Sequence, residues 1–346
     1  MVVARPVRAV SAVARVAAID CGTNSLRLLV ADVDPAAGRL ADVDRRMEIV
    51  RLGQGVDATG RLAPEALDRT LHALAGYAKI IKATSADAVR MVATSATRDA
   101  ANAADFVRGV EGVLGVPPEV LSGQDEAYLS FTGATAELTT PGLTAPGLTT
   151  PGGLAAAPGG PYLVVDIGGG STEFVLGDGR PPGHPAARSG LGALSVDIGC
   201  VRLTERHLHG DPPSRAEIAA AAADIEAALD AVAAAMPAAT ARTLVGLAGS
   251  VTTVAGLALG LAEYDPGRIH HARVSAAQVA DQTGRLLGQT RTQRAALGVM
   301  HPGRVDVIGG GAMVLDHVMR RFGFAEVLVS EHDILDGIAW ALAAGR

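Results

Sequence analysis

The chain has 346 residues, of which 49% are apolar but only 3% aromatic, and a formal net charge of -6. That length suits about two domains of ~150 residues, each with a core packed from Val, Leu, Ile and Ala, and the composition is globular rather than disordered. The acidic balance argues against a nucleic-acid polymer or an anionic membrane as partner, while leaving room for an anion in a local basic cleft; apolar runs break well short of about 18 residues, so no transmembrane helix is expected.

The first 15 residues carry Arg5, Arg8 and Arg15 among Val and Ala. Arg15 interrupts what would be the apolar region of a targeting signal, so 1–15 reads as an N-terminal extension and not as a signal peptide. Residues 16–33, VAAIDCGTNSLRLLVADV, follow as apolar strand, aspartate, glycine-containing turn and second apolar strand. A hairpin needs only a short turn with Gly or Asn, so the placement of Asp20 asks for a further reason. Cys21 and Cys200 are the only cysteines and show no metal-ligand spacing, which fits a reducing cytoplasm.

Residues 64–82, PEALDRTLHALAGYAKIIK, predict a helix with Pro64 in its first turn and Leu67, Leu71, Leu74, Ala78 and Ile81 on one face. VRMVAT from Val89 predicts a buried strand. The stretch 137–161, ELTTPGLTAPGLTTPGGLAAAPGGP, has Pro and Gly too often for regular structure, and a flexible insertion is expected. Directly after it, YLVVDIGGGSTEFVLGDG (162–179) repeats the opening design: shifted by 146 positions, Asp166 falls on Asp20, Gly168 on Gly22, Ser171 on Ser25 and Asp178 on Asp32. One such match is a hairpin; two, on either side of an insertion, predict two domains of one kind, over 16–136 and 162–346, with the ligand between them. In the second, Ser214 and Glu217 form a capping box ahead of a seam of Ile218, Ile225, Leu229, Val232 and Met236. Strands are expected at 244–248 and 326–330, each followed by a helix, which makes the chain α/β with mixed sheets.

The absence of side chains at Gly168, Gly169 and Gly170 lets an anion approach successive backbone N–H groups, and Thr23, Asn24, Ser25, Ser171 and Thr172 add short donors. An aspartate on each side of a cleft suits Mg2+, which takes a few carboxylates, several waters and substrate phosphates. Phosphoryl chemistry is therefore the leading expectation. Tight structural turns with each Asp capping backbone are the plainer alternative; a dinucleotide fold is set aside because DIGGGS lacks GxGxxG spacing and runs into a strand-like TEFVL.

IDCGTNSLRLLVADV and VVDIGGGSTEFVLG resemble the two phosphate motifs of the actin-like ATPase superfamily, and specifically those of the exopolyphosphatase and guanosine pentaphosphate phosphohydrolase family. RLGQGVDATGRL, ATSATRDAAN, LSGQDEAYLSFTGA, VGLAGSVTTVAGL, MHPGRVDVIGGGAMVL and VSEHDILDGIA agree with it in order, so that the resemblance spans residues 16–345 apart from the insertion. It implies two ribonuclease H-like lobes around a cleft, the last helix packing back on the first lobe, and Mg2+- or Mn2+-dependent release of terminal orthophosphate from inorganic polyphosphate. It implies Glu126 as the catalytic glutamate that positions or deprotonates water, Glu173 as a second catalytic and metal-linked acid, and Asp166 as a metal-linked aspartate, with Asp20 expected beside the metal from the reading of the paired turns. Thr23, Asn24, Ser25, Arg27, Arg98, Gly168, Gly169, Gly170, Ser171, Gly249 and Ser250 are the implied phosphate contacts. A cytoplasmic homodimer is expected. Long members of the family append a C-terminal helical region, whereas this sequence ends at Arg346 after the second lobe, so short chains are the expected substrates.

Guanosine pentaphosphate (pppGpp) in place of polyphosphate keeps the same site. A weakly hydrolysing nucleotide- or polyphosphate-binding regulator is the alternative of another class, since sugar kinases and chaperone ATPases share the superfamily's turns. The SGQDEA context of Glu126 favours hydrolysis, although Glu126 read alone is an ordinary solvated acid, Arg98 a surface charge and Arg27 a snorkelling strand residue. Lys79 and Lys82 are the only lysines, which leaves any basic track to arginine. Cys21 is not expected as a nucleophile, because no His stands near it in sequence.

Overall fold

The computed structural model describes residues 13–35, 37–139, 149–150, 153–154, 159–179 and 191–345. The targeting-like segment before residue 13 and most of the Thr-Pro-Gly insertion lie outside them. One sheet contains β1 (Ala14–Cys21), β2 (Ser25–Asp34), β3 (Arg39–Ile49), β4 (Ala88–Ala93) and β5 (Glu119–Val120) in the order β3-β2-β1-β4-β5. Within the insertion, β6 (Thr149–Thr150) pairs with β7 (Gly153–Leu154), a ladder of two residues per strand where the punctuated sequence predicts no regular structure. The other large sheet contains β8 (Tyr162–Ile167), β9 (Thr172–Gly177), β10 (Gly192–Val196), β11 (Thr243–Leu247), β12 (Arg273–Ser275) and β13 (Glu326–Val329), in the order β10-β9-β8-β11-β13-β12. The central strands β1 and β8 are each antiparallel to the next strand in sequence and parallel to the one on their other side. The run β10-β9-β8-β11-β13 thus repeats β3-β2-β1-β4-β5 in order and sense, and β12 is an edge addition. This is two domains of one kind, as the repeated motif predicts, and the ribonuclease H-like arrangement twice over, the actin-like fold that the family resemblance implies.

The helices beside the first sheet are α1 (Val56–Thr59), α2 (Pro64–Thr84), α3 (Ser95–Arg98), α4 (Ala103–Leu114) and α5 (Gly123–Thr139). Those of the second half are α6 (Cys200–His207), α7 (Arg215–Ala235), α8 (Ala248–Ala258), α9 (Pro266–Ile269), α10 (Ala276–Gly288), α11 (Arg291–Ala295), α12 (Ile308–Phe322) and α13 (Ile334–Ala343). The predicted capping box of α7 forms: Ser214 Oγ accepts from the Glu217 N–H at 3.3 Å and Glu217 Oε2 from the Ser214 N–H at 2.6 Å. In α2 Leu74 and Ile81 of the expected face are buried and Leu67 and Leu71 pack half-buried on the same core, but the buried line runs through Ala66, Thr70, Ala73 and Tyr77 and leaves out Ala78, because Tyr77 turns inward to donate to the Leu26 carbonyl at 3.0 Å. Strand β11 ends at Leu247, one residue early, because Ala248 takes a left-handed φ of 67° and opens α8.

Strand parity decides what the two aspartates meet, since alternate residues of a strand face opposite sides of its sheet. In β1, Ala17, Ile19 and Cys21 pack toward α2 and α4, and Val16 and Ala18 toward α13. Asp20 shares the parity of the second set. In β8, Leu163, Val165 and Ile167 face the large core under α7 and α12, while Tyr162 and Val164 face α5, which puts Asp166 on the α5 side. The two helices exchange halves: α5, which follows the first sheet, packs Ala127, Phe131 and Ala134 on the second, and α13, at the chain end, packs Ile338, Ala339 and Trp340 on the first. They cross at Gly133 and Gly337, where a Cβ on either would collide with a backbone carbonyl of the other segment, Asp333 or Leu129. Among the described residues no helix is long and apolar enough to cross a membrane.

Candidate active site

A cavity of about 830 Å3 lies between the lobes, with the 22–25 and 168–171 turns both in its wall. The turns are built alike: the Gly22 N–H donates to Ser25 O and the Gly168 N–H to Ser171 O, both at 3.0 Å. In the second turn the three glycine carbonyls are tied to the start of α6. Gly168 O accepts from the Cys200 N–H, Gly169 O from Val201 and Arg202, and Gly170 O from Gly199, at 2.8–3.3 Å. A peptide's N–H points opposite its C=O, so the N–H groups of Gly169, Gly170 and Ser171 are aimed away from α6 as an anion-binding concavity. The first turn is held by a different device with the same result: Thr23 O accepts from the Gly53 N–H, and Asn24 O from those of Val50 and Arg51. That explains RLGQG in the sequence, whose backbone orients the turn. The turns approach closely; a Cβ on Gly170 would stand 2.6 Å from Ser95 Oγ and 2.7 Å from Thr23 Oγ1, and one on Gly169 2.9 Å from Thr23 Cβ.

Buried acids occupy the floor. Cross-strand pairing sets Asp20 opposite Arg27 and Asp166 opposite Glu173, corresponding positions of the two copies carrying a cation in one and an acid in the other. Asp20 Oδ2 accepts from Arg27 Nε at 3.0 Å and Nη2 at 2.6 Å, while Oδ1 is buried without a hydrogen-bond partner. Arg27 also pairs with Asp333, the N-cap of α13. Asp166 Oδ2 accepts from Ser130 of α5 at 2.7 Å and Glu173 Oε1 from Ser195 of β10 at 2.8 Å. Burial, reinforced by Asp333, pushes Asp166 up to about 6; burial and Asp166 push Glu173 up to about 7. Burial and then Glu173 raise Glu126 well above the usual carboxylate range against the pull of Arg98, and burial raises Asp20 against Arg27. Burial opposes the charge of Arg27, yet Asp333, Asp20 and Asp166 together hold its pKa above the ordinary arginine value.

Of the residues expected at the site, Asp20, Thr23, Asn24, Ser25, Arg27, Glu126, Asp166, Gly168, Gly169, Ser171, Glu173, Gly249 and Ser250 line the cavity. Gly170 and Arg98 do not. Two expected phosphate contacts sit on carboxylates: Arg27 between Asp20 and Asp333, and Arg98 on Glu126 Oε2 at 3.1 Å and the Leu121 carbonyl at 3.0 Å. Sequence reasoning missed Asp333, Ser130, Ser195 and Arg304. Arg304 lies across the Gly249 backbone, donates to Thr253 Oγ1 at 3.3 Å, and reaches Met47 Sδ of the first lobe at 3.4 Å. The HPGR stretch was the only signal of it.

The sequence model of the Ppx/GppA phosphatase family matches residues 29–145 and 151–343. The chain belongs to that family. As a member of a phosphatase family it is a hydrolase, and its likeness to named relatives runs nearly end to end. It is 49% identical over 343 residues to exopolyphosphatase 2 of Mycobacterium tuberculosis, covering 96% of this chain and 99% of that one. Among solved structures it is similar to an exopolyphosphatase-like protein, with 40% identity, a TM-score of 0.83 and coverage of 95% and 99%. It is also similar to the Ppx/GppA family member of Aquifex aeolicus, with 28% identity, a TM-score of 0.75 and coverage of 96% and 99%. In this Ppx/GppA phosphatase the donor set of the floor fits a hard divalent cation. Carboxylate oxygens crowd one space, Asp20 Oδ1 is orphaned, and no closed cluster of three or more His, Cys, Asp or Glu stands ready among the described residues. A cation held by one or two carboxylates, water and phosphate matches that pattern.

Proposed function

We propose that the chain is an exopolyphosphatase acting on short inorganic polyphosphate. The observation that carries the reading is Glu126, a buried acid at the start of α5 lining the same cavity as two turns whose carbonyls are tied back to their own lobes. The identity to exopolyphosphatase 2 supports the substrate class. Phosphoryl transfer needs positioning and charge neutralisation more than covalent chemistry. The turns, with Thr23, Ser171 and Ser250, hold the terminal phosphates. Glu126, kept oriented by Arg98, directs a water at the terminal phosphorus and takes its proton; the P–O–P bond breaks, orthophosphate leaves, and the shortened chain keeps the bridging oxygen. One or two of the carboxylates of Asp20, Asp166 and Glu173 would hold Mg2+ (or Mn2+) directly and the rest through water, and the ion would neutralise phosphate oxygens. We assign the working form as a homodimer from the family resemblance, with light scattering at twice the mass of one chain as its check. We place it in the cytoplasm, consistent with two buried, unpaired cysteines.

The test is phosphate release from short polyphosphate, long polyphosphate, pppGpp and ATP, by wild type and Glu126→Gln. Short polyphosphate is expected to turn over fastest and Glu126→Gln to lose about 10²–10⁴-fold in kcat, the range of a general base. Faster pppGpp turnover would move the substrate to that nucleotide. ATP binding without phosphate release from any linear polyphosphate would make the chain a regulator.

A further inference from the structure

Arg202, in the first turn of α6, touches both the second glycine turn and the first lobe. Its Nε donates to Gly170 O at 2.7 Å, Nη1 to Asp57 Oδ1 at 2.9 Å and Nη2 to Asp99 Oδ2 at 2.6 Å. Asp57 lies in α1 and Asp99 just after α3, both in the first lobe. One turn further on, Arg206 pairs with the same Asp57 and with Asp224 of its own lobe, and Glu205 accepts from the Gly55 N–H. This clasp joins the first lobe to the back of the second glycine turn, and Arg202 is its mostly buried centre, at 12% side-chain exposure. A guanidinium is a rigid planar fork, so its three contacts fix one another's directions. The Gly170 carbonyl shares a peptide plane with the Ser171 N–H; orienting one aims the other.

We infer that Arg202 is a positioning residue that makes the aim of the second phosphate turn conditional on closure of the lobes. The aspartates of the first lobe hold the fork square to Gly170 only when the cleft is shut. Lobe opening therefore loosens the peptide that presents Ser171, and anion binding favours the closed cleft by the same coupling. The inference rests on the reading of Gly168–Ser171 as a phosphate turn.

The experiment measures kcat and KM on short polyphosphate, melting temperature, and the radius of gyration without substrate. The proteins compared are wild type, Arg202→Ala, Arg202→Lys and the double variant Asp57→Asn/Asp99→Asn. The double variant keeps the contact to Gly170 and loses the charge that favours closure, while the amide oxygens can still accept from the fork once substrate has shut the cleft; it is expected to expand without substrate and to raise KM about tenfold with kcat nearly kept. Arg202→Ala is expected to lose a further tenfold or more in kcat, the scale of a small misplacement at the reacting centre. Arg202→Lys, a point charge that cannot serve three acceptors, is expected to recover compactness but not kcat. Arg202→Ala matching the double variant in both constants would overturn the link to the turn, and wild-type constants in all variants would overturn the whole inference. Should wild type itself release no phosphate, the enzymatic reading fails while scattering still judges the clasp: an unexpanded double variant would then sink it.

Discussion

At the scale of residues, charge is the governing quantity. Burial, reinforced by Asp333 at Asp166 and by Asp166 at Glu173, pushes the two carboxyls up to about 6 and about 7, above ordinary values of 3.8 and 4.5. A folded-state pKa above the unfolded one stabilises the fold at low pH and withdraws that stability as pH rises through the folded value. Without a divalent cation the melting temperature is therefore expected to fall between pH 5 and pH 8. Mg2+ favours the ionised carboxylates and is expected to reverse the fall at pH 8 with little effect at pH 5. Thermal denaturation across that grid checks it, and a Mg2+ effect equal at both pH values would place the ion elsewhere. Asp20 was legible as a site residue in the sequence because its motif occurs twice. Its counterion was not: Arg27 reads as a solvent-seeking strand residue until α13 brings Asp333 over it.

At the scale of elements, glycines mark where backbones must nearly touch. Gly170→Ala drives a methyl into Ser95 and Thr23 and forces the turns apart; about a tenfold rise in KM is expected with the melting temperature within about 3 °C of wild type, since few core contacts change. Gly133→Ala meets the carbonyl of Asp333 at the α5–α13 crossing. It is expected to cost about 1–3 kcal/mol, the range for overpacking a tight contact, read as a lowered urea midpoint. A variant as stable as wild type would mean that the helices separate there at no cost. The helix signals Pro64 and Ser214–Glu217 were readable because caps and first turns are local chemistry. The inward Tyr77 was not, because a hydrogen bond to Leu26 chose the face.

At the scale of the whole molecule, ion pairs bridge the cleft at Arg51–Asp306 and Arg202–Asp57, with side chains 12–37% exposed. Partly exposed pairs are weak and screened by salt, so the lobes are poised rather than fixed. A non-hydrolysable polyphosphate analogue is expected to reduce the radius of gyration of the wild-type protein in 0.5 M salt, where the clasp alone is weakened; unchanged scattering would count against substrate-driven closure.

Patterns carried by neighbours along the chain were sufficient, in the sequence by itself, to determine the paired strand-turn-strand motifs, the two-lobed fold and the family with its candidate acids. Tertiary structure decided the partners. It placed Arg98 on Glu126 and Arg27 between two aspartates, set α6 behind the glycine turn so that its N–H groups face the cleft, and crossed α5 and α13 so that each lobe's aspartate meets a helix from the other half. These depend on strand parity combined with long-range packing, and residues 146, 103 or 306 positions apart in sequence have no local physics in common until the chain has folded.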